Sequence, residues 1–399
     1  MAKSAQQESK LQGLNSQQIA DLVEQNKHIY DDYFDPNYTI SLEKNIFDHI
    51  NKHYFRSRFI GFENYPQRNN PDRPLIFASN HSGMAFPWDA MVFGAGVFKM
   101  NKHDFYHACR GLTAPMLSMS RLMHPFLIHH FWKRVGGIDA TSLNFETLMH
   151  YNFANILIYP EGVPGIGKGF DKRYQLQRFS TSFVRMSLKY KTDVIPVYTV
   201  NGEYINPYSY RLPWIDQLVQ KIGIPFLPLS IMTLLILVQP WLFYFAFPAR
   251  LTYVLGDPIK PYEMNNKEYD SLSQEEINQI RDQIQTTMQN GLDKAVAEYG
   301  REPFQWKHLL LNNLSNITKI PFFSSPGWAL LFSEHERLYA QNNGLPVKDM
   351  HLNWWSFFSI LFRNPFLISF FIPIVGWIPI LLAGYRGHQI QQKTWGFEK

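Results

Sequence analysis

Two short runs of β-branched, aromatic and aliphatic residues, each ending abruptly in a polar motif, constrain this chain more than any other feature. Pro74-Leu75-Ile76-Phe77-Ala78-Ser79 is followed at once by Asn80-His81-Ser82-Gly83, and Asp89 comes a short loop later. Downstream, Ile156-Leu157-Ile158-Tyr159 ends in Pro160-Glu161-Gly162. Uninterrupted apolar runs of this kind read as strands buried on both faces, the pattern of a sheet covered by helices. An imidazole and two carboxylates at the ends of two such strands point to one active site.

Further runs of strand character, Val194 to Val200 and Leu251 to Leu255, alternate with stretches suited to helices at Asp89 to Phe98, Leu143 to Tyr151 and Phe179 to Tyr190. The alternation predicts an α/β sandwich, with a mostly parallel or mixed sheet and flanking helices. At 399 residues the chain can bury one such core and still have material for appendages. Four regions are expected: an N-terminal arm and helix (1–53, with the helix through Leu42 to Ile50), the α/β domain (54–262), a helical extension (263–310) and an aromatic C-terminal region (311–399). In the extension, Ser273 and Glu276 form a capping box for a helix whose Ile277, Ile280, Ile284, Met288, Leu292 and Ala295 share one face and which ends at Tyr299-Gly300.

Charge and aromatic content bear on partners. With 38 basic against 33 acidic residues the net charge is +5, which favours an anionic partner. Aromatics at 16% nearly match charged residues at 18%, and proline-broken aromatic stretches favour a membrane interface. Within 214–248, Pro225, Pro228 and Pro240 cut an apolar stretch into pieces, predicting an interfacial helical insertion, with burial in the core as the alternative. From Asn364 to Tyr385 no charged residue occurs; Arg363 and Arg386 bracket the run, and Trp354, Trp355 and Trp377 supply anchors. Pro365, Pro373 and Pro379 favour a membrane-dipping hairpin there over a single straight span. Nucleic acid is not an expected partner, because the basic residues lack interleaved exposed aromatics. Cys109 is the only cysteine, so no intrachain disulfide forms; it reads as a small buried hydrophobe in a reducing, cytoplasm-facing protein. Residues Met1 to Gln25 lack the apolar stretch of a signal peptide.

The chemistry centres on His81. With Asp89 holding one ring nitrogen, the other is left as a base able to take a proton from an alcohol, a contribution typically worth roughly a hundredfold to ten-thousandfold. Beyond Glu161-Gly162 the loop Val163-Pro164-Gly165-Ile166-Gly167-Lys168-Gly169 combines anion-accepting glycine backbone with a cation. Its spacing is wrong for a nucleotide-binding loop, since Phe170-Asp171 follows Gly169. His124, His129 and His130 lack acidic or cysteine companions, and packing rather than metal binding is expected of them.

Asn80-His81-Ser82-Gly83 with Asp89, Tyr159-Pro160-Glu161-Gly162, and Val194-Ile195-Pro196-Val197 together resemble the ordered motifs of the glycerolipid and lysophospholipid acyltransferase family, over roughly Tyr54 to Ile259. The resemblance implies transfer of a fatty acyl group from a CoA or acyl-carrier-protein thioester to a lysophospholipid or other glycerolipid hydroxyl, on the cytoplasmic face of a membrane and without a further cofactor. It makes His81 the general base, Asp89 its orienting acid, and Glu161 with Gly162 part of the acceptor pocket; Asn80, Lys168 and Arg173 are further candidates for substrate binding. Two departures stand out. The family's acid usually falls where this chain has Phe86, so the loop before Asp89 must bulge. The arginines that the family often offers to an acceptor phosphate are missing from Gly136-Gly137-Ile138-Asp139-Ala140-Thr141 and from position 164, which is Pro164. Lys168, Lys172 or Arg173 then takes over phosphate binding, or the acceptor is not a simple glycerol phosphate. Two other readings keep the dyad or the fold: a CoA-independent transacylase, and a non-catalytic lipid-binding protein.

Overall fold

The computed structural model describes residues 14–84, 86–220 and 226–385. The start of the N-terminal arm, Ala85 in the loop before Asp89, residues 221–225 of the apolar insertion and residues 386–399 lie outside the described residues. Strands β1 (Arg58–Ile60), β2 (Ile76–Ser79), β3 (Cys109–Thr113), β4 (Ile138–Asp139), β5 (Asn155–Ile158), β6 (Val194–Val200) and β7 (Thr252–Leu255) form one sheet in the order β1-β7-β6-β2-β5-β3-β4. Every neighbouring pair is parallel except β6 with β7. The mostly parallel, mixed sheet expected from the sequence is present.

Three of the four apolar runs become the central strands β5, β2 and β6, and every residue of these strands is buried. Alternation sends Phe77, Leu157 and Ile195 into one core and Ile76, Ala78, Ile156, Ile158 and Val194 into the other, so the sheet is covered on both faces. The edge strands β1 and β4, and β3 beside β4, were not legible. β3 carries Arg110 and Gly111 among its five residues, and Arg110 is accommodated by donating to the carbonyls of Gly136 and Tyr30.

The helices relevant to the site are α1 (Ser16–Asn26), α2 (Trp88–Met100), α3 (Ser142–His150), α4 (Ser182–Tyr190), α5 (Ile231–Val238), α6 (Gln274–Tyr299), α7 (Trp328–Gln341), α8 (Trp354–Arg363) and α9 (Trp377–Tyr385). The capping box at Ser273 and Glu276 starts α6 as expected. Its apolar face, from Ile277 to Ala295, is buried in the same core as Val194 and Tyr198.

The structure divides the C-terminal region that the sequence presents as one membrane-associating unit. Phe322, Trp328 and Ala329 to Phe332 are buried with the helical run Pro36 to Phe55 and the inner face of α2 in the main core. Trp328 packs at 4.5 Å from Trp88 and 4.9 Å from Tyr54. Aromatic content alone does not separate a core-filling tryptophan from an interfacial one, because both bury a large apolar body. From α8 onward the aromatic run is broken as its prolines require: α8 ends at Arg363, a 3-10 turn spans Pro365–Phe370, and α9 begins at Trp377. No helix among the described residues is long and apolar enough to cross a membrane, so the single straight span is not formed there. The insertion 214–248 is split between the two expectations. Met232, Leu242 and Tyr244 are buried, whereas Ile231, Leu234 and Leu237 are exposed.

Candidate active site

The pairing of β2 with β5 brings the two polar motifs together. Ile76 faces Ile156, Phe77 faces Leu157 and Ala78 faces Ile158. Carried past the strand ends, the register sets His81 beside Glu161, and the His81 backbone N–H donates to Glu161 Oε1 at 3.0 Å. The other carboxylate oxygen accepts from the Gln177 backbone N–H at 2.6 Å. Glu161 is buried, and burial pushes its pKa up, opposed by the nearby Lys168 ammonium and by these two backbone donors. It fastens the histidine loop to the chain after the glycine loop.

Asp89 lies in the first turn of α2, fully buried, with Oδ2 at 3.0 Å from His81 Nδ1. A helix start favours a carboxylate through its unsatisfied N–H groups. The separation of eight positions is closed by the bulge that the sequence requires. Gly83 takes φ +109 and Met84 φ 41, the Met84 N–H donates to the Ile166 carbonyl, and its own carbonyl accepts from the Asn206 amide. Tyr253 donates its hydroxyl to the Asp89 carbonyl, and the Trp88 indole donates to the Tyr244 carbonyl, pinning the helix start. The His81 ring stacks on Tyr159 with centroids 4.1 Å apart. Burial, and next the charge of Asp89, hold the Tyr159 hydroxyl well above its ordinary pKa, so the ring is a neutral platform. With Nδ1 taken by the carboxylate, Nε2 is the nitrogen available to a substrate.

His81 faces an apolar cavity of 1060 Å³ enclosed by α2, β3, the loop after β4 and α5. Of the residues expected in substrate binding, only Gly162 lines it. Asn80 is buried and both ends of its amide are bonded to the Thr199 backbone, so it locks the end of β2 to β6. Lys168 is buried with Nζ 3.4 Å from Glu203 Oε1. Together with Lys172 and Arg211 it borders a separate polar pocket of 220 Å³. Arg173 is exposed, its guanidinium over the Phe170 ring at 5.1 Å. Local motif reading cannot tell a cation facing substrate from one sealed under a loop, because both sit in the same glycine-rich context.

Cys109 lines the cavity, and burial raises its thiol pKa to about 12, which leaves it protonated and a poor nucleophile. His124 bonds to the Ile128 carbonyl through Nδ1, and His130 packs against Tyr33. Among the described residues no group of three His, Cys, Asp or Glu side chains is placed to hold a metal ion.

Residues 56–200 match the family model described as Acyltransferase. They form an acyltransferase-family domain, and the chain that carries it is an acyl-transferring enzyme. Two curated relatives, uncharacterized proteins of Mycobacterium tuberculosis and Mycobacterium leprae, are each 26% identical over 258 residues, 64% of this chain and 67% and 65% of theirs. Among solved structures, the 1-acyl-sn-glycerophosphate acyltransferase PlsC of Thermotoga maritima is similar at a TM-score of 0.34 and 14% identity, covering 63% of this chain and 81% of that one. The acyltransferase domain holds His81, Asp89, Glu161, Gly162, Lys168 and Arg173. It does not hold all of the cavity, because α5, Trp377 and Leu381 lie outside the matched residues yet line it. Those contributors, and the Tyr159 platform, were missed in sequence. Tyr159 had a signal in its place directly ahead of Pro160-Glu161-Gly162, whereas α5 and Trp377 had none that distinguishes cavity wall from ordinary core.

Proposed function

We propose that the protein transfers a fatty acyl group from a CoA or acyl-carrier-protein thioester to a glycerolipid hydroxyl at a membrane surface facing the cytoplasm. The observation that carries the reading is the His81–Asp89 pair at 3.0 Å on the wall of the apolar cavity. The acceptor hydroxyl attacks the thioester carbonyl while His81 Nε2 takes its proton. The tetrahedral intermediate then collapses, the C–S bond breaks, and the thiolate leaves with the proton from the imidazolium. No enzyme-bound acyl group forms and no cofactor beyond the donor is called for. Asp89 keeps the ring in the tautomer with Nε2 unprotonated and stabilises the imidazolium that follows. The enzyme's task is alignment and proton transfer, because the thioester is already activated.

An apolar pocket of this size suits an alkyl chain, since sites that bury a ligand are typically about 300–1,000 Å³ and mostly apolar. The polar pocket by Lys168, Lys172 and Arg211 adjoins the same glycine loop and is assigned to substrate phosphate. Lys168 acts there from beneath, as a positioning residue that keeps Glu161 and Glu203 compensated. The acceptor is a lysophospholipid or another glycerolipid. A panel of lysophospholipids, glycerol phosphate and diacylglycerol, offered with radiolabelled acyl-CoA or acyl-carrier protein, tests the reading: transfer to at least one pair supports it. Transfer between phospholipids with no thioester present would replace it with the transacylase.

A further inference from the structure

Among the exposed residues that line the cavity, two chemically different places stand out. One is beside His81, where Gly162 is exposed among the polar motifs. The other lies between α5 and α9, where Leu237 at 63% exposure and Leu381 at 39% exposure both line the cavity. Two carbonyls of α5 accept hydrogen bonds here, one from a side chain of α9 and one from the backbone of the turn before it. The Trp377 indole donates to the Ile236 carbonyl at 2.9 Å, and the Ile374 N–H donates to the Val238 carbonyl at 2.8 Å.

Around this second place the surface is aliphatic. Ile231, Leu234 and Leu235 on α5, and Ile374, Ile378 and Leu382 on and before α9, are exposed. Neither 226–249 nor 364–385 contains a charged residue. Scattered exposed leucines are ordinary, but a contiguous uncharged patch from two joined elements is not. A protein partner is usually met by an apolar centre ringed with polar groups. Here Leu237 and Leu381 belong both to the exposed patch and to the wall of the cavity that His81 also lines, so its occupant must be able to feed long apolar chains into it.

We propose that this face, built by α5 and the segment 374–382 outside the matched acyltransferase domain, seats in one leaflet of a phospholipid bilayer, and that lipid chains enter and leave the cavity sideways between Leu237 and Leu381. The inference rests on the lipid-acylating reading above. Headgroup and thioester chemistry stay at the Gly162 mouth, and the alkyl chain remains in apolar surroundings along the whole route. The exposed aliphatic residues then sit among lipid tails, a favourable transfer for each side chain buried.

The test uses the full chain, vesicles of phosphatidylethanolamine and phosphatidylglycerol, and two monoacylated acceptors, one long-chain and embedded in the vesicles, one short-chain and water-soluble. Wild type is expected to sediment with the vesicles. Leu234→Glu/Leu382→Glu puts two charges on the face and is expected to weaken vesicle binding at least tenfold, and to lower the embedded-to-soluble rate ratio at least tenfold. Leu237→Trp/Leu381→Trp fills the mouth but keeps the face apolar; it should still bind vesicles while the same ratio falls at least fivefold. Thermal melting reports folding, and Leu234→Ser/Leu382→Ser replaces the Glu pair if that pair does not fold. Equal vesicle binding by wild type and the Glu or Ser pair would overturn the docking face, as would a stable dimer of wild type that dissociates in that pair. Unchanged rate ratios in the Trp pair would overturn the sideways route. Failure of the acylation reading itself looks different: no transfer to either acceptor, whatever the vesicle binding.

Discussion

At the scale of single residues, the site depends on groups that hold His81 as much as on His81 itself. Tyr159 stacks under the imidazole and Glu161 accepts from its backbone N–H. Neither touches the reacting atoms in the proposed mechanism, so both are positioning residues. Tyr159→Leu should lower kcat about tenfold with little change in KM, because an apolar body remains while the ring-on-ring constraint is lost; a KM effect as large as the kcat effect in steady-state assays would argue for direct substrate contact instead. Much of this was legible in the sequence: His81 and Asp89 stand where strand, turn and helix grammar puts them, and their pairing needed only a loop that bulges. Asn80 and Lys168 show the limit. Their residue types fit substrate binding, but Asn80 spends its amide on the Thr199 backbone and Lys168 faces Glu203 in the interior. Such partners lie at distances along the chain that no local pattern reveals.

At the scale of elements, the loop from β2 to α2 and the helix that follows decide both geometry and specificity. A Cβ on Gly83 would lie 2.9 Å from the Gly202 carbonyl oxygen, at a φ of +109 that side chains disfavour. Gly83→Val should therefore displace the bulge, separate Asp89 from His81 and cut kcat/KM at least tenfold, with a lower melting temperature measured alongside. Gly94 on α2 is the opposite case: it lines the cavity, and a Cβ there would meet nothing within 4 Å. Gly94→Leu should fold at least as well, since glycine in a helix interior costs roughly 0.8–1 kcal/mol against alanine and leucine ranks just below alanine. It should also shift donor preference toward shorter acyl chains in a competition assay; an unchanged profile would place the acyl chain elsewhere. The central strands were readable because they are apolar on both faces. β1, β3 and β4 were not, because short strands of mixed composition carry no period of their own. α5 was ambiguous for a physical reason: Met232 and Leu237 are alike in chemistry and differ only in what the rest of the chain places over them.

At the scale of the whole molecule, the C-terminal segments support a site to which they contribute no motif. Trp328 packs on Trp88, the residue before Asp89. Trp328→Ala should cost about 3–5 kcal/mol of stability, as large-to-small changes of buried aromatics do, and should lower activity in the fraction that stays folded. A second long-range tie joins His335 Nε2 to the Ser41 hydroxyl at 2.8 Å. Burial lowers the His335 pKa to about 3, so the unfolded chain takes up a proton near pH 6.5 that the folded chain refuses. Stability from this group is complete above pH 6.5 and falls as the pH drops toward 3. The loss of melting temperature between pH 7 and pH 5 should accordingly be smaller in His335→Gln than in wild type. The account as a whole meets its most direct test in acyl transfer measured for wild type, His81→Ala and Asp89→Asn on whichever donor and acceptor wild type uses. Loss of product in His81→Ala by at least about a hundredfold, with a smaller but clear drop in Asp89→Asn, is the predicted result; a His81→Ala enzyme that keeps its rate would contradict it.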